Sequence, residues 1–195
     1  MRDETRTLYT VEELKERFPD AYAKAYRRYK DGACQHEIPW SDEIVDSLKA
    51  TLKAFGATLK DWSIGAWSNS YLKLDEGPNS LQCSGPRSFA VLERALEPFR
   101  IPFVGPKRWT AAKYGKDYRP GMVKPCPFTG VCFDEDFLDS IREDLKAGCT
   151  VRQALLNLAH VASRLMEAEQ EQMESEEEFA NQMDGVEFDA DGDPA

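Results

Sequence analysis

The chain has 195 residues, 42% of them hydrophobic, which suffices for one compact domain with or without appendages. It has no apolar run of the roughly 18 residues that a membrane-spanning helix needs, and its start, MRDETRTLYT, lacks the apolar stretch of a secretory signal. The net charge of −10 is unevenly spread: Leu165 to Ala195 holds twelve acids and no Lys or Arg, while the rest holds 23 acids and all 25 basic residues, a net of +2.

Thr10 with Glu13 forms a capping box, with Tyr9 placed to staple onto Leu14. Leu14, Phe18, Tyr22, Ala25 and Tyr29 follow at helical spacing, and Pro19 should split this helix near Phe18 before it ends at Asp31-Gly32. IPWSDEIVDSLKATLKAFG predicts a second helix. Ser41 is its N-cap, Trp40 its staple onto Val45, Ile44, Leu48, Leu52 and Phe55 its buried stripe, and Gly56 its C-terminal stop. The period then changes, and residues 58–64 and 70–75 read as a hairpin around AWSN, with Trp62 and Ile64 sharing a face. Residues 78–86 form a loop, and residues 88–96 a short helix stopped by Pro98.

Residues 99–127 are rich in Pro and Gly, have no sustained period and read as a long irregular insert. Asp134 then caps a helix with Phe137, Leu138, Ile141 and Leu145 inward, closed by Gly148. A second capping box, Thr150 with Gln153, starts a long amphipathic helix through Val151, Ala154, Leu155, Leu158, Val161, Ala162 and Leu165. It runs into the acidic tract, where Ser175 with Glu178 caps a last short helix. The fold class is α+β: a mainly helical single domain over residues 8–164 with a small β-hairpin sheet, then an acidic helical C-terminal arm and tail over 165–195. The two strong stripes, Ile44/Leu48/Leu52/Phe55 and Leu155/Leu158/Val161, are expected to share the core.

The five cysteines are expected to be reduced in a cytoplasm, and their odd number argues against a full disulfide framework. CPFTGVCFDEDFLDSI, residues 126–141, is the stretch that most resembles a motif. Cys126 and Cys132 lie farther apart than a zinc knuckle's cysteines, and Cys34 with His36 has one residue between. No Cys-x-x-Cys redox pair is present, and neither is a phosphate-binding loop, nucleophile elbow or carboxylate–histidine metal signature. His160 falls within the stripe of a long helix, where a structural role is expected. No metal and no cofactor is expected. The better reading is a rigid turn, built by Pro125, Pro127 and Thr129-Gly130, that leads into a helix whose Asp134, Glu135 and Asp136 face the positive end of its dipole.

CPFTGVCFDEDFLDSI, the later SEEEFANQMDGVEFDADG, YTVEELKERFPDAYAKA and IPWSDEIVDSLKATLKAFGATLKDWSIG together resemble a group of small phage and prophage proteins, over about residues 8–192. Some members of that group carry the label antitoxin of a toxin–antitoxin stability system. The resemblance implies a bacterial host cytoplasm and supplies no catalytic residues, and the basic insert of residues 99–127 departs from the group's pattern.

Two stretches are candidate binding surfaces. In the acidic arm, Glu167, Glu171, Met173, Glu174, Glu177, Glu178 and Phe179 combine carboxylates with an apolar edge that Met166 extends. The arm could solubilise the chain, mimic a nucleic-acid backbone, or clamp the basic insert. Its terminal DADGD resembles the opening of a calcium loop but ends at Ala195, short of the closing Glu, and reads as a solvated terminus. Within residues 100–124, seven bases face one acid, and Lys107, Arg108, Trp109, Lys113, Tyr114, Lys116, Tyr118 and Arg119 mix charge with aromatic rings as single-stranded nucleic-acid sites do. The leading expectation is a non-enzymatic accessory protein that neutralises a protein partner, either a toxin or a host defence component. A nucleic-acid-binding module is the alternative, and an enzyme comes third.

Overall fold

The computed structural model describes residues 7–33, 38, 40–67, 69–100, 123 and 126–195. They form a mainly helical α+β fold with seven α-helices and one two-stranded antiparallel sheet among the described residues. The chain order is α1 (Val11–Arg17), α2 (Pro19–Ala33), α3 (Ser41–Ala54), β1 (Leu59–Ser63), β2 (Tyr71–Leu74), α4 (Pro86–Leu96), α5 (Phe133–Lys146), α6 (Val151–Met173) and α7 (Glu176–Gln182). Among the described residues no helix is long and apolar enough to cross a membrane. The chain divides into two compact units. A terminal unit combines Met1–Pro39 with Glu167–Ala195, and a central unit spans Trp40–Met166. The acidic segment therefore belongs to a folded unit with the N-terminal helices, whereas the sequence reading set it apart as an arm after residue 164.

In the terminal unit the capping box forms as expected: the Thr10 amide donates to Glu13 Oε2 at 3.1 Å, and the Glu13 amide to Thr10 Oγ1 at 3.3 Å. Phe18 ends α1, and Pro19 opens α2, where its missing N–H costs nothing. Val11, Leu14, Ala21, Tyr22, Ala25, Phe179 and Phe188 make the core. Tyr9 and Phe188 exchange both backbone hydrogen bonds, at 2.8 and 2.9 Å. The DADGD terminus, read as solvated, is ordered. Asp189 Oδ1 accepts the amides of Asp191 and Asp193, each at 3.0 Å. Gly192 has φ +77°, and a Cβ there would fall 2.3 Å from the Ala21 carbonyl oxygen, so only glycine fits.

In the central unit α3 lies against α5. Ile44, Leu48, Leu52 and Phe55 of the first stripe and Leu155, Leu158 and Val161 of the second are all buried there. Ser41 is not the N-cap. Trp40 holds that position in a left-handed conformation, φ 59°, and stays 56% exposed, while Ser41 begins the helix. At the other end Gly56 and Ala57 close a Schellman motif, their amides donating to Lys53 and Leu52 at 2.9 and 3.0 Å. The hairpin forms one residue shorter at each end than expected, with a bulge between Leu59 and Asp61. Arg152 of α6 donates to the Leu74 and Asp75 carbonyls, and Ser163 to that of Gly65, which ties both ends of the hairpin to one helix. His160, expected within the stripe, is exposed.

The cysteine-flanked turn resolves into a buried polar cradle. α5 begins at Phe133, so Asp134 lies inside the first turn instead of at the N-cap, and it is fully buried. Its Oδ2 accepts the amides of Phe128, Thr129 and Gly130 at 2.8, 2.7 and 3.3 Å. Its Oδ1 accepts the Thr129 hydroxyl at 2.9 Å. Because that proton is committed, the buried Ser47 hydroxyl of α3, 2.9 Å from Thr129 Oγ1, is the donor to it. One carboxylate thus fastens the turn to α5 and, through Thr129, to α3. Among the described residues Cys83, Cys126, Cys132 and Cys149 are free thiols, and no group of three or more His, Cys, Asp and Glu side chains could hold a metal. Burial first, then the nearby Asp134 charge, pushes the Cys126 thiol up and keeps it protonated.

Leu48→Ala or Leu158→Ala should cost about 2–5 kcal/mol, read from the urea midpoint. Asp134→Asn should cost about 3 kcal/mol, because an amide strands at least one buried donor of the turn. A wild-type midpoint for Asp134→Asn would mean that the cradle contributes nothing to stability.

Candidate interaction surface

The acidic segment is held by a pattern in α2. Tyr22, Tyr26 and Tyr29 recur at helical spacing and share one face. Their rings surround Phe179, with centroids 5.6, 5.5 and 5.2 Å from its own, and Phe179 is only 1% exposed. Their hydroxyls then satisfy the acidic segment. Tyr29 donates to the Met173 carbonyl and Tyr26 to that of Glu174, both at 2.7 Å, and Tyr22 donates to Glu176 Oε2 at 3.3 Å. Two of these acceptors are carbonyls at the end of α6 that have no partner within the helix. Burial pushes the phenols of Tyr22 and Tyr29 up, which keeps both protonated as donors.

The next turn of chain explains why a helix starts at Glu176. The Ser175 hydroxyl accepts the Glu178 amide at 3.1 Å, and Glu176, Glu177 and Glu178 occupy the first turn, at the positive end of the dipole. Cations of α1 and α2 take up part of the charge. Lys15 pairs with Glu176 at 2.7 Å, Lys30 with Glu174 at 3.3 Å, and Lys24 with Asp193 at 3.4 Å, while Arg28 also holds Asp193. Lys15 keeps the Glu176 carboxyl below its ordinary value, chiefly by its hydrogen bond, and Arg28 does the same for Asp193.

The predicted arm residues are thus divided. Phe179 is core and cannot meet a partner. Met173 is half-buried, and its carbonyl is taken by Tyr29. Met166 is buried in the central unit. Phe179 is turned inward because the tyrosine face of α2 offers it a dry surface. Glu174 is half-buried and paired, Glu178 is half-buried and accepts from Gln182, and Glu167 is half-buried. Glu171 and Glu177 are exposed. They are joined by Asp184 and Glu187, which the sequence reading did not single out, and none of these four has an ion pair among the described residues. The outward face is carboxylate-rich and apolar-poor. The basic candidates Lys107, Arg108, Trp109, Lys113, Tyr114, Lys116, Tyr118 and Arg119 all lie outside the described residues.

A second acidic feature lies in the central unit. Asp136, Asp139, Ser140, Glu143 and Arg164 line a cleft of about 340 Å³. Burial, then the Asp139 charge, raises the Asp136 carboxyl. Compared with protein-family models, curated proteins and solved structures, the chain finds no match in any of the three.

The depressed carboxyls of Glu176 and Asp193 set a pH dependence. Their contribution is fully present above the ordinary values of 4.5 and 3.8, and it is lost as pH falls through the lower folded values. The near-UV tyrosine signal should therefore weaken below about pH 4. That acid limb should be shallower in the Glu176→Gln, Asp193→Asn double variant than in the wild type.

Proposed function

We propose that the chain is a non-enzymatic phage or prophage accessory protein that binds and neutralises a basic macromolecular partner through its acidic terminal unit. The partner is a protein, either a toxin or a component of host defence, and the carboxylate face stands in for a nucleic-acid backbone. The supporting observation is the surplus of exposed acid: Glu171, Glu177, Asp184 and Glu187 are exposed and have no ion pair among the described residues, while four of the unit's cations, Lys15, Lys24, Arg28 and Lys30, are already engaged with Glu174, Glu176 and Asp193 and leave Arg17 and Arg27 as its exposed cations without an ion pair among the described residues. A one-sign surface on an ordered scaffold speeds encounter with a basic partner and makes that rate fall with salt. Binding from an ordered backbone also costs less conformational entropy than ordering an unfolded tail would. The resemblance to phage proteins, some labelled antitoxins, agrees with this role.

The test is capture from a bacterial lysate by the full chain and by the triple variant Glu171→Lys, Glu177→Lys, Asp184→Lys. Glu171→Lys and Asp184→Lys alter exposed positions and should each change the unfolding free energy by no more than about 0.5 kcal/mol, whereas Glu177→Lys, in the first turn of α7, should cost about 1 kcal/mol. A basic protein captured by the wild type in low salt should be absent from the variant eluate. A partner held equally by both would place the binding surface elsewhere. Nucleic acid retained by the wild type in high salt would favour the nucleic-acid-binding alternative.

A further inference from the structure

The central unit carries a groove of a different character. Ala50 and Ala54 of α3 and Ala95 of α4 form its floor, and Pro98, Phe99 and Phe128 its walls, around about 440 Å³. That volume falls within the roughly 300–1,000 Å³ of small-molecule sites, which combine an apolar surface with a few polar groups. Alanines supply the depth, because any longer side chain at those three places would fill it. The Phe99 and Phe128 rings meet edge to face at 5.1 Å and brace each other.

The charge at the rim has one sign. Lys53 and Arg94 are exposed, line the groove and have no ion pair among the described residues. The neighbouring acids Glu93 and Glu97 are both drawn to Arg100, the latter at 3.0 Å. Each cation sits in the last turn of its helix, where it also offsets the negative end of the dipole. That accounts for the sign of each charge, but not for a concave aromatic surface between the two.

We infer that this groove binds a small anionic amphiphile, such as a medium-chain or aromatic carboxylate, with its apolar body on the alanine floor and its head group between Lys53 and Arg94. A cationic amphiphile would meet like charge, and a neutral one would gain only the floor. The site is independent of the acidic face of the terminal unit.

Titration of the full chain with decanoate below its micelle concentration, followed by alanine methyl NMR, tests this. The Ala50, Ala54 and Ala95 methyls should shift together and saturate. The double variant Lys53→Gln, Arg94→Gln, which alters only exposed side chains, should weaken binding about tenfold. Ala54→Phe should fill the groove and abolish the response. Equal binding of octyl glucoside or decyltrimethylammonium, or an unchanged affinity in the double variant, would overturn the assignment. So would a short peptide with phenylalanine beside glutamate that saturates the same methyls more tightly than decanoate, since that would make the groove a peptide-docking site.

Discussion

Burial of Phe179 is the contact on which the acidic segment depends. Twelve carboxylates without a single cation in the same stretch repel one another and oppose compaction. Something uncharged has to hold them in place, and one phenylalanine within three tyrosine rings does so. Tyrosine suits the position better than phenylalanine or leucine would. All three rings cover Phe179, and two of the hydroxyls reach the open carbonyls at the end of α6 while that of Tyr22 reaches Glu176, so the apolar and the polar demands of the junction are met by the same three residues.

The charges follow from that anchor. Once Phe179 fixes α7 against α2, the lysines and arginine along α1 and α2 reach Glu174, Glu176 and Asp193, and Glu171, Glu177, Asp184 and Glu187 are left exposed. Pairs this exposed add little each and fade with salt. They set the orientation of the segment more than its stability. The central unit shows the opposite economy: a single buried carboxylate, Asp134, satisfied by three amides and a hydroxyl, with no cation nearby in its hydrogen-bond set.

The helices were legible because their signals are local. Thr10/Glu13 and Thr150/Gln153 name their own caps, Pro19 its own break, and Gly56 its own stop. The inward turn of Phe179 was not legible from the acidic segment alone. The residues that bury it lie near the other end of the chain, and a phenylalanine among acids reads equally well as an exposed contact or as core. The Tyr22, Tyr26 and Tyr29 spacing was visible, but nothing local to it said which surface it covers. Asp134 is near a helix start as expected, but two positions past the N-cap, which is Cys132. Sequence shows that a carboxylate favours that neighbourhood, whereas three converging amides from the preceding turn depend on the path of the backbone.

The terminal unit joins residues from opposite ends of the chain, with paired groups such as Lys15 and Glu176 separated by 161 positions. Ribosomes deliver the tyrosine face long before its phenylalanine. During synthesis α2 must wait with an apolar stripe uncovered while the whole central unit emerges. The carboxylate face therefore cannot form before the C-terminal stretch has been made. Chains cut short by stalled translation carry the tyrosine helix and the central unit but no acidic surface, so full-length synthesis is a precondition for having that surface at all.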